Sequence, residues 1–136
     1  FKYEGQVEIN GTMIYQPQHF HLFQKHAKDN FFPDMQRADR FIRYFGIEDL
    51  LDKSVNVLSG GERQKVALIR SVIQVYDILL LDEPCSQMDI KSMEMTHALL
   101  FELAQIENKC ILLVSHQLDA SLDHAIPLEI KDKQLI

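Results

Sequence analysis

Two hydrophobic periods organise this chain, one of two residues and one of between three and four. Near the beginning, Val7 and Ile9 alternate with Gln6 and Glu8, and Asn10-Gly11 follows as a turn signal. This predicts a half-exposed strand and a hairpin, continued by a short strand from Thr12 to Tyr15 that breaks at Gln16-Pro17-Gln18. Helical spacing then takes over. Asp34 suits an N-cap for a helix from Met35 to Phe45, with Phe41, Ile42 and Phe45 on one face and Gly46 as its C-cap. Ile47 to Leu51 starts a second short helix. Val66, Ala67, Ile69 and Ile73 set a helix over Arg63 to Val75, ending near Tyr76-Asp77. At once the pattern changes to the unbroken apolar run Ile78-Leu79-Leu80-Leu81, which ends in Asp82-Glu83. Such a run predicts a buried parallel strand that delivers charge at its C-terminal edge. A helix follows from Ile90 to Ile106, with Met93, Leu100, Leu103 and Ala104 as its inner stripe. After the turn Glu107-Asn108-Lys109 comes a buried strand from Cys110 to Val114. Leu118 to Leu122 reads as a short helix, and Ala125 to Ile130 with Gln134 to Ile136 as a closing hairpin. The turn of that hairpin, Lys131-Asp132-Lys133, lacks the usual glycine.

Composition narrows the class without changing this outline. The 136 residues, 46% hydrophobic and 25% charged, suit one ordinary globular domain. A net charge of -6 gives no basic face for nucleic acid. No apolar run is long enough to span a membrane, and no secretory signal is expected. Cys85 and Cys110 are too few for a disulfide framework and fit the reducing cytosol, with Cys110 expected as a small buried hydrophobe.

Candidate chemistry sits where the elements meet. In Leu58-Ser59-Gly60-Gly61-Glu62-Arg63-Gln64, Ser59 is placed as an N-cap, and Glu62 completes a capping box. Two glycines let the backbone approach a ligand, and a helix N-terminus with bare N–H groups attracts anions. The four residues SGGE alone would equally make a capped surface helix after a turn. Asp82 and Glu83 lie at a strand tip, where open α/β sheets place ligands; two adjacent acids could also cap the next helix. Gln18 ends a strand; its amide can both accept and donate, and Gln16 is a lower-ranked second candidate. Asp89 is an N-cap for the helix behind it. His116 is a lone histidine at a strand tip, where a structural role is the ordinary one. A zinc site at His19, His21 and His26 is set aside, since no cysteine or carboxylate stands at ligand spacing.

In sequence order these stretches resemble the motifs of ATP-binding cassette (ABC) ATPases. Gly5, Val7, Ile9 and Gly11 fit the hairpin that follows the family's phosphate loop. Gln18 resembles the Q-loop glutamine, LSGGERQ the signature, and ILLLDEP the Walker B strand. Cys85-Ser86-Gln87-Met88-Asp89 resembles the D-loop, with Met88 in place of the usual leucine and Cys85 where threonine or serine is common. His116 resembles the H-loop switch histidine. The resemblance implies an α/β, P-loop NTPase-like parallel sheet with a small helical subdomain, cut as residues 1–18, 19–57 and 58–136 of one partial ABC ATPase domain. It also implies ATP and Mg²⁺ as cofactors. Ser59, Gly60, Gly61, Glu62 and Asp89 would bind nucleotide, with the signature facing ATP held by a second ABC ATPase domain. Asp82 and Gln18 would hold the metal; Glu83, His116 and Gln18 would serve hydrolysis. A transmembrane permease subunit would anchor the domain at the inner face of the cell membrane, and Phe20, Phe23, Phe31 and Phe32 would serve either that docking or the subdomain's own core. No GxxxxGK[ST] loop occurs in the sequence. The chain is therefore expected to be part of a longer one, inactive alone, with an exposed sheet edge. LDEP points to a separate ATPase subunit. A ribosome-associated ABC ATPase and a non-catalytic half-site are the alternatives.

Overall fold

The computed structural model describes residues 6, 8–23, 25–116, 122–128, 130–131 and 134–135. Strand β1 (Met13–Gln16), β2 (Ile78–Asp82) and β3 (Cys110–Val114) form a parallel sheet in the order β1-β2-β3. The register places Gln16 beside Leu81 and Asp82 beside Val114, so all three strands end along one edge. Helix α1 (Met35–Phe45), helix α2 (Gly60–Val72) and helix α3 (Ile90–Ile106) supply the other layers. Short strands β4 (Ile130–Lys131) and β5 (Gln134–Leu135) pair antiparallel.

Helix α2 is the centre of the core. Val66, Ala67, Leu68 and Ile69 are fully buried, and the helix packs against β1 on one side and against α1 and the 3-10 turn Ala27–Phe31 on the other. Leu79 and Leu81 alternate inward from β2 and are likewise sealed. The opposite pleat is open: Met13, Tyr15, Leu112 and Val114 are all more than two fifths exposed. Parallel sheets ordinarily bury both faces. Among the described residues this second face is covered only in part, with Ile78 and Leu80 of the central strand half-buried.

The helical caps agree with the sequence. The Asp34 side chain accepts from the Arg37 N–H, and Gly46 closes α1 at φ +60°, a left-handed cap that glycine adopts without a Cβ penalty. Other expectations need correction. Helix α2 starts at Gly60 and stops at Val72, with both glycines inside its first turn, because the capping box already fixes the backbone behind Ser59. Of the stripe expected on α3, Leu100 and Leu103 are buried; Met93 and Ala104 are half-buried, and Ser92, Thr96, His97 and Leu99 complete the inner face. Cys110 is exposed, and β3 is only half-buried, because its side chains at 110, 112 and 114 share the open pleat. Residues 6 and 8–10 form no strand, so no hairpin is seen there among the described residues. The second short helix is the single 3-10 turn Glu48–Leu50. The closing hairpin forms with shorter strands than expected, and Lys131 lies in β4. The helix expected at Leu118 to Leu122 falls mostly outside the described residues, as does Gly5.

Candidate nucleotide site

At the C-terminal edge of the sheet, register does the assembling. Asp82 is the last residue of β2, and the Tyr15 hydroxyl donates to its Oδ2 at 3.4 Å from the adjacent strand. Glu83 follows with φ +50°, a conformation that a residue with a Cβ seldom adopts and that tends to occur at functional sites. Two contacts fix it to β3. Its N–H donates to the Val114 carbonyl at 2.9 Å, and its Oε1 accepts the His116 backbone N–H at 2.8 Å. The Glu83 side chain is thereby nearly buried, while the His116 imidazole is almost wholly exposed, its Nε2 3.6 Å from the same oxygen. A carboxylate held against a strand tip, beside an imidazole free to turn, can orient a water and take up a proton.

Gln18 lies two residues past β1 and is exposed. Gln16 is different. It is buried, and its Oε1 accepts from the Ser71 hydroxyl of α2 at 3.0 Å. Its Nε2 has no protein partner.

The signature turn is built locally. Ser59 Oγ accepts the Glu62 N–H at 3.3 Å, and the Ser59 N–H donates to Glu62 Oε2 at 2.7 Å. The box holds the first turn of α2 open to the outside, with Ser59 exposed. Its inner side rests on the D-loop of the same chain. A Cβ on Gly61 would stand 2.9 Å from the Gln87 carbonyl oxygen, and one on Gly60 would meet the Gln87 side-chain oxygen. Asp89 caps α3 and accepts from both the N–H and the hydroxyl of Ser92 at 2.9 Å. Those bonds, the backbone one first, hold its carboxyl below the ordinary carboxylate range.

The structure thus brings Asp82, Glu83 and His116 to one edge, with Gln18 leaving the neighbouring strand. Ser59, Gly60, Gly61 and Glu62 form a separate capped turn, apart from that edge. Gln64 is a functional candidate that the motif alone does not single out. It is fully buried and bridges the two regions. The signal was available: Gln64, Ala67, Leu68 and Ser71 fall on one helical face, so two polar side chains stand in an otherwise apolar stripe.

Among the described residues no cluster of three histidine, cysteine, aspartate or glutamate side chains could hold a metal. Mg²⁺ needs no such cluster, being commonly held by one or two carboxylates, with water and phosphate oxygens filling the rest of its shell. Asp82 and the Gln18 amide are both hard oxygen donors of that kind.

Comparison with known proteins gives the context. The family model described as ABC transporter matches residues 2–86. The chain is 36% identical over 103 residues to the "Probable siderophore transport system ATP-binding protein YusV" of Bacillus subtilis, covering 75% of this chain and 38% of that protein. It is 40% identical over 90 residues to the aliphatic sulfonates import ATP-binding protein SsuB 2 of Paracoccus denitrificans, covering 66% and 37%. Among solved structures, a metal-chelate type ABC transporter in an inward-facing conformation aligns with a TM-score of 0.68 at 26% identity, over 84% of this chain and 52% of that one. The RNase-L Inhibitor aligns with a TM-score of 0.73 at 30% identity, over 83% and 24%. The chain spans less than two fifths of the length of these two curated relatives. With the capped signature turn and the carboxylate-bearing strand edge both in place, the chain belongs to the ABC transporter family and carries part of its ATP-binding domain.

Proposed function

We propose that this chain is the part of an ABC transporter ATPase subunit that carries the hydrolytic carboxylate and the signature turn. One observation carries the reading: Glu83, strained at φ +50° and held to β3 by the His116 N–H, stands beside Asp82 at the C-terminal edge of a parallel sheet. In this reading Glu83 orients the attacking water, and His116 contacts the γ-phosphate from the facing strand tip. Asp82 and Gln18 hold Mg²⁺, which supplies charge neutralisation on the phosphate oxygens. Asp89, the D-loop aspartate, serves the nucleotide interface while capping α3. Ser59, Gly60, Gly61 and Glu62 face ATP held by a second ABC ATPase domain, so the working unit is a dimer.

The permease contact falls to the helical region. Phe31 is fully buried and Phe20 packs on the core, whereas Phe23 and Phe32 are mostly exposed. They line a depression of about 400 Å³ together with Pro33, Arg37 and Arg70. The Arg70 guanidinium is partly buried there, which pushes its pKa down; it donates to the His21 carbonyl at 2.8 Å. An apolar rim beside two arginines suits a permease segment with an acidic side chain, and in this reading the subunit sits on the inner face of the membrane through that contact. Relatives named for siderophore, sulfonate, phosphonate, molybdenum and taurine transport do not single out one cargo.

The test is ATP turnover by the protein read from its complete coding DNA. Wild type should hydrolyse ATP with Mg²⁺, and Glu83→Gln should lower kcat by about 100-fold or more while ATP binding persists. Unchanged turnover in Glu83→Gln would remove the assignment. A protein that binds no ATP would remove the function.

A further inference from the structure

The signature turn and the catalytic edge belong, in the reading above, to different nucleotide sites. Within this chain they are joined by one side chain. Gln64 is 1% exposed. Its Nε2 donates to the Glu83 carbonyl at 3.3 Å and to Ser86 Oγ at 2.8 Å, while its Oε1 accepts the Gln87 N–H at 2.8 Å. An amide offers two N–H donors and one oxygen acceptor. Here both kinds of group are engaged, on three successive parts of the segment that leaves the sheet edge. That segment is fixed on its other side as well. The Ser86 N–H returns to the Glu83 carbonyl at 3.3 Å, and the Met88 N–H to the Cys85 carbonyl at 2.9 Å.

The contact with the signature is steric. Gly60 and Gly61 lie on Gln87 so closely that neither could carry a Cβ without something moving. A displacement of Gln87 therefore pushes on the first turn of α2, and a displacement of Glu83 pulls on Gln87 through Gln64. The path runs from His116 to Glu83, to Gln64 and to Gln87 by hydrogen bonds, and from Gln87 to Gly61 by an approach so close that a Cβ there would meet the Gln87 carbonyl oxygen. Hydrogen-bond networks whose members are satisfied hold the groups they join rigidly.

We propose that Gln64 is a positioning residue that locks the signature turn to the Glu83 strand tip of the same chain, so that a phosphate engaged at one is felt at the other. The proposal rests on the ATPase reading for its use and on the geometry alone for the lock.

Two measurements on the purified protein separate these. The first is amide hydrogen exchange without nucleotide, comparing wild type with Gln64→Met, which keeps length and loses all three bonds. The expected result is at least tenfold faster exchange at Gln87, with smaller rises at both Gly60–Glu62 and Glu83–Ser86 and no change in β3 or α1. A change confined to Gln87, or spread evenly over the domain, would overturn the lock. The second is ATP turnover. Gln64→Met should lower kcat about tenfold with KM for ATP within twofold, and Gln64→Glu, which would bury a carboxylate against the Glu83 carbonyl, should lower it at least as far. In dimers with one Gln64→Met subunit, turnover should fall well below half of wild type, because the substituted subunit serves both sites. Turnover at half or above would show that Gln64 serves one site only and would sink the coupling. If wild type hydrolyses no ATP, the ATPase reading fails, and the exchange result still decides the lock.

Discussion

The signature turn and the sheet edge bind parts of the same kind of ligand in the proposed mechanism, yet they are built by opposite means. The turn is closed by bonds that span three residues, from Ser59 to Glu62 and back. The edge is closed by residues far apart in sequence: Tyr15 with Asp82, and Glu83 with Val114 and His116. A local device survives as long as its helix does. A long-range device survives only while the sheet register holds, and the register depends on the buried pleat of Leu79 and Leu81. The difference predicts where damage travels.

The largest effect should come from Leu81→Ala. Leu81 is fully buried and pairs with Gln16 in the register, so truncation should cost about 2–5 kcal/mol of unfolding free energy. Denaturant unfolding gives the number. The control is Leu112→Ala on the open pleat, where the side chain is 41% exposed and the expected cost is about 0.5 kcal/mol or less. Equal losses at the two positions would mean that the open pleat is covered in solution, and the contrast between the two faces would disappear.

Next comes the place where the two devices touch. Gly61→Ala must push a Cβ against a backbone oxygen, which can yield only if the Gln87 segment shifts. About 1–3 kcal/mol is expected, the usual cost of overpacking. Gly60→Ala meets mainly the end of the Gln87 side chain, which can swing away, and should cost clearly less. If Gly60→Ala is the worse of the pair, the packing of the turn on the D-loop is not what restricts these positions.

How much of this was legible in the sequence follows the same division. The caps at Asp34, Ser59 and Asp89 and the Gly46 stop could be read because each is a property of four or five consecutive residues, and the structure has all of them. The unbroken run Ile78 to Leu81 gave the parallel strand and its charged tip for a similar reason. Periodicity could not tell that Cys110, Leu112 and Val114 share an open pleat. Burial there depends on what lies across the sheet, and the strand's own residues are uniformly apolar. The positive φ of Glu83 has no local signature either, since it is imposed by the Val114 and His116 contacts. Gln64 lies within the LSGGERQ motif. Its three partners come from a segment that only the fold brings alongside.

A smaller effect isolates the local device. Ser59→Ala removes one half of the capping box and leaves the Glu62 N–H to water, so thermal unfolding should report a loss of about 1 kcal/mol. Because Ser59 is exposed and the sheet register does not involve it, Leu81→Ala and Ser59→Ala should add in the double variant. A double variant that loses much more than the sum would show that the turn and the register are coupled more tightly than Gln64 alone provides.

The smallest effect is one of pH, at the second cap. Asp89 accepts two hydrogen bonds from Ser92, with Lys65 as a weaker favourable charge, and its folded carboxyl titrates below the ordinary value of 3.8. The sign follows from linkage. The folded state favours the ionised form, so the contribution is fully present above the unfolded value and is lost as pH falls through the folded one. Asn caps a helix about as well as Asp but does not titrate. The stability of Asp89→Asn relative to wild type should therefore be lowest above about pH 5 and rise toward wild type as the medium is acidified below about pH 4. Unfolding midpoints of the two proteins across that range decide the matter. A gap that stays constant with pH would mean that the two Ser92 bonds do not favour the charged carboxylate. The D-loop cap would then be held in place by the packing of α3 alone.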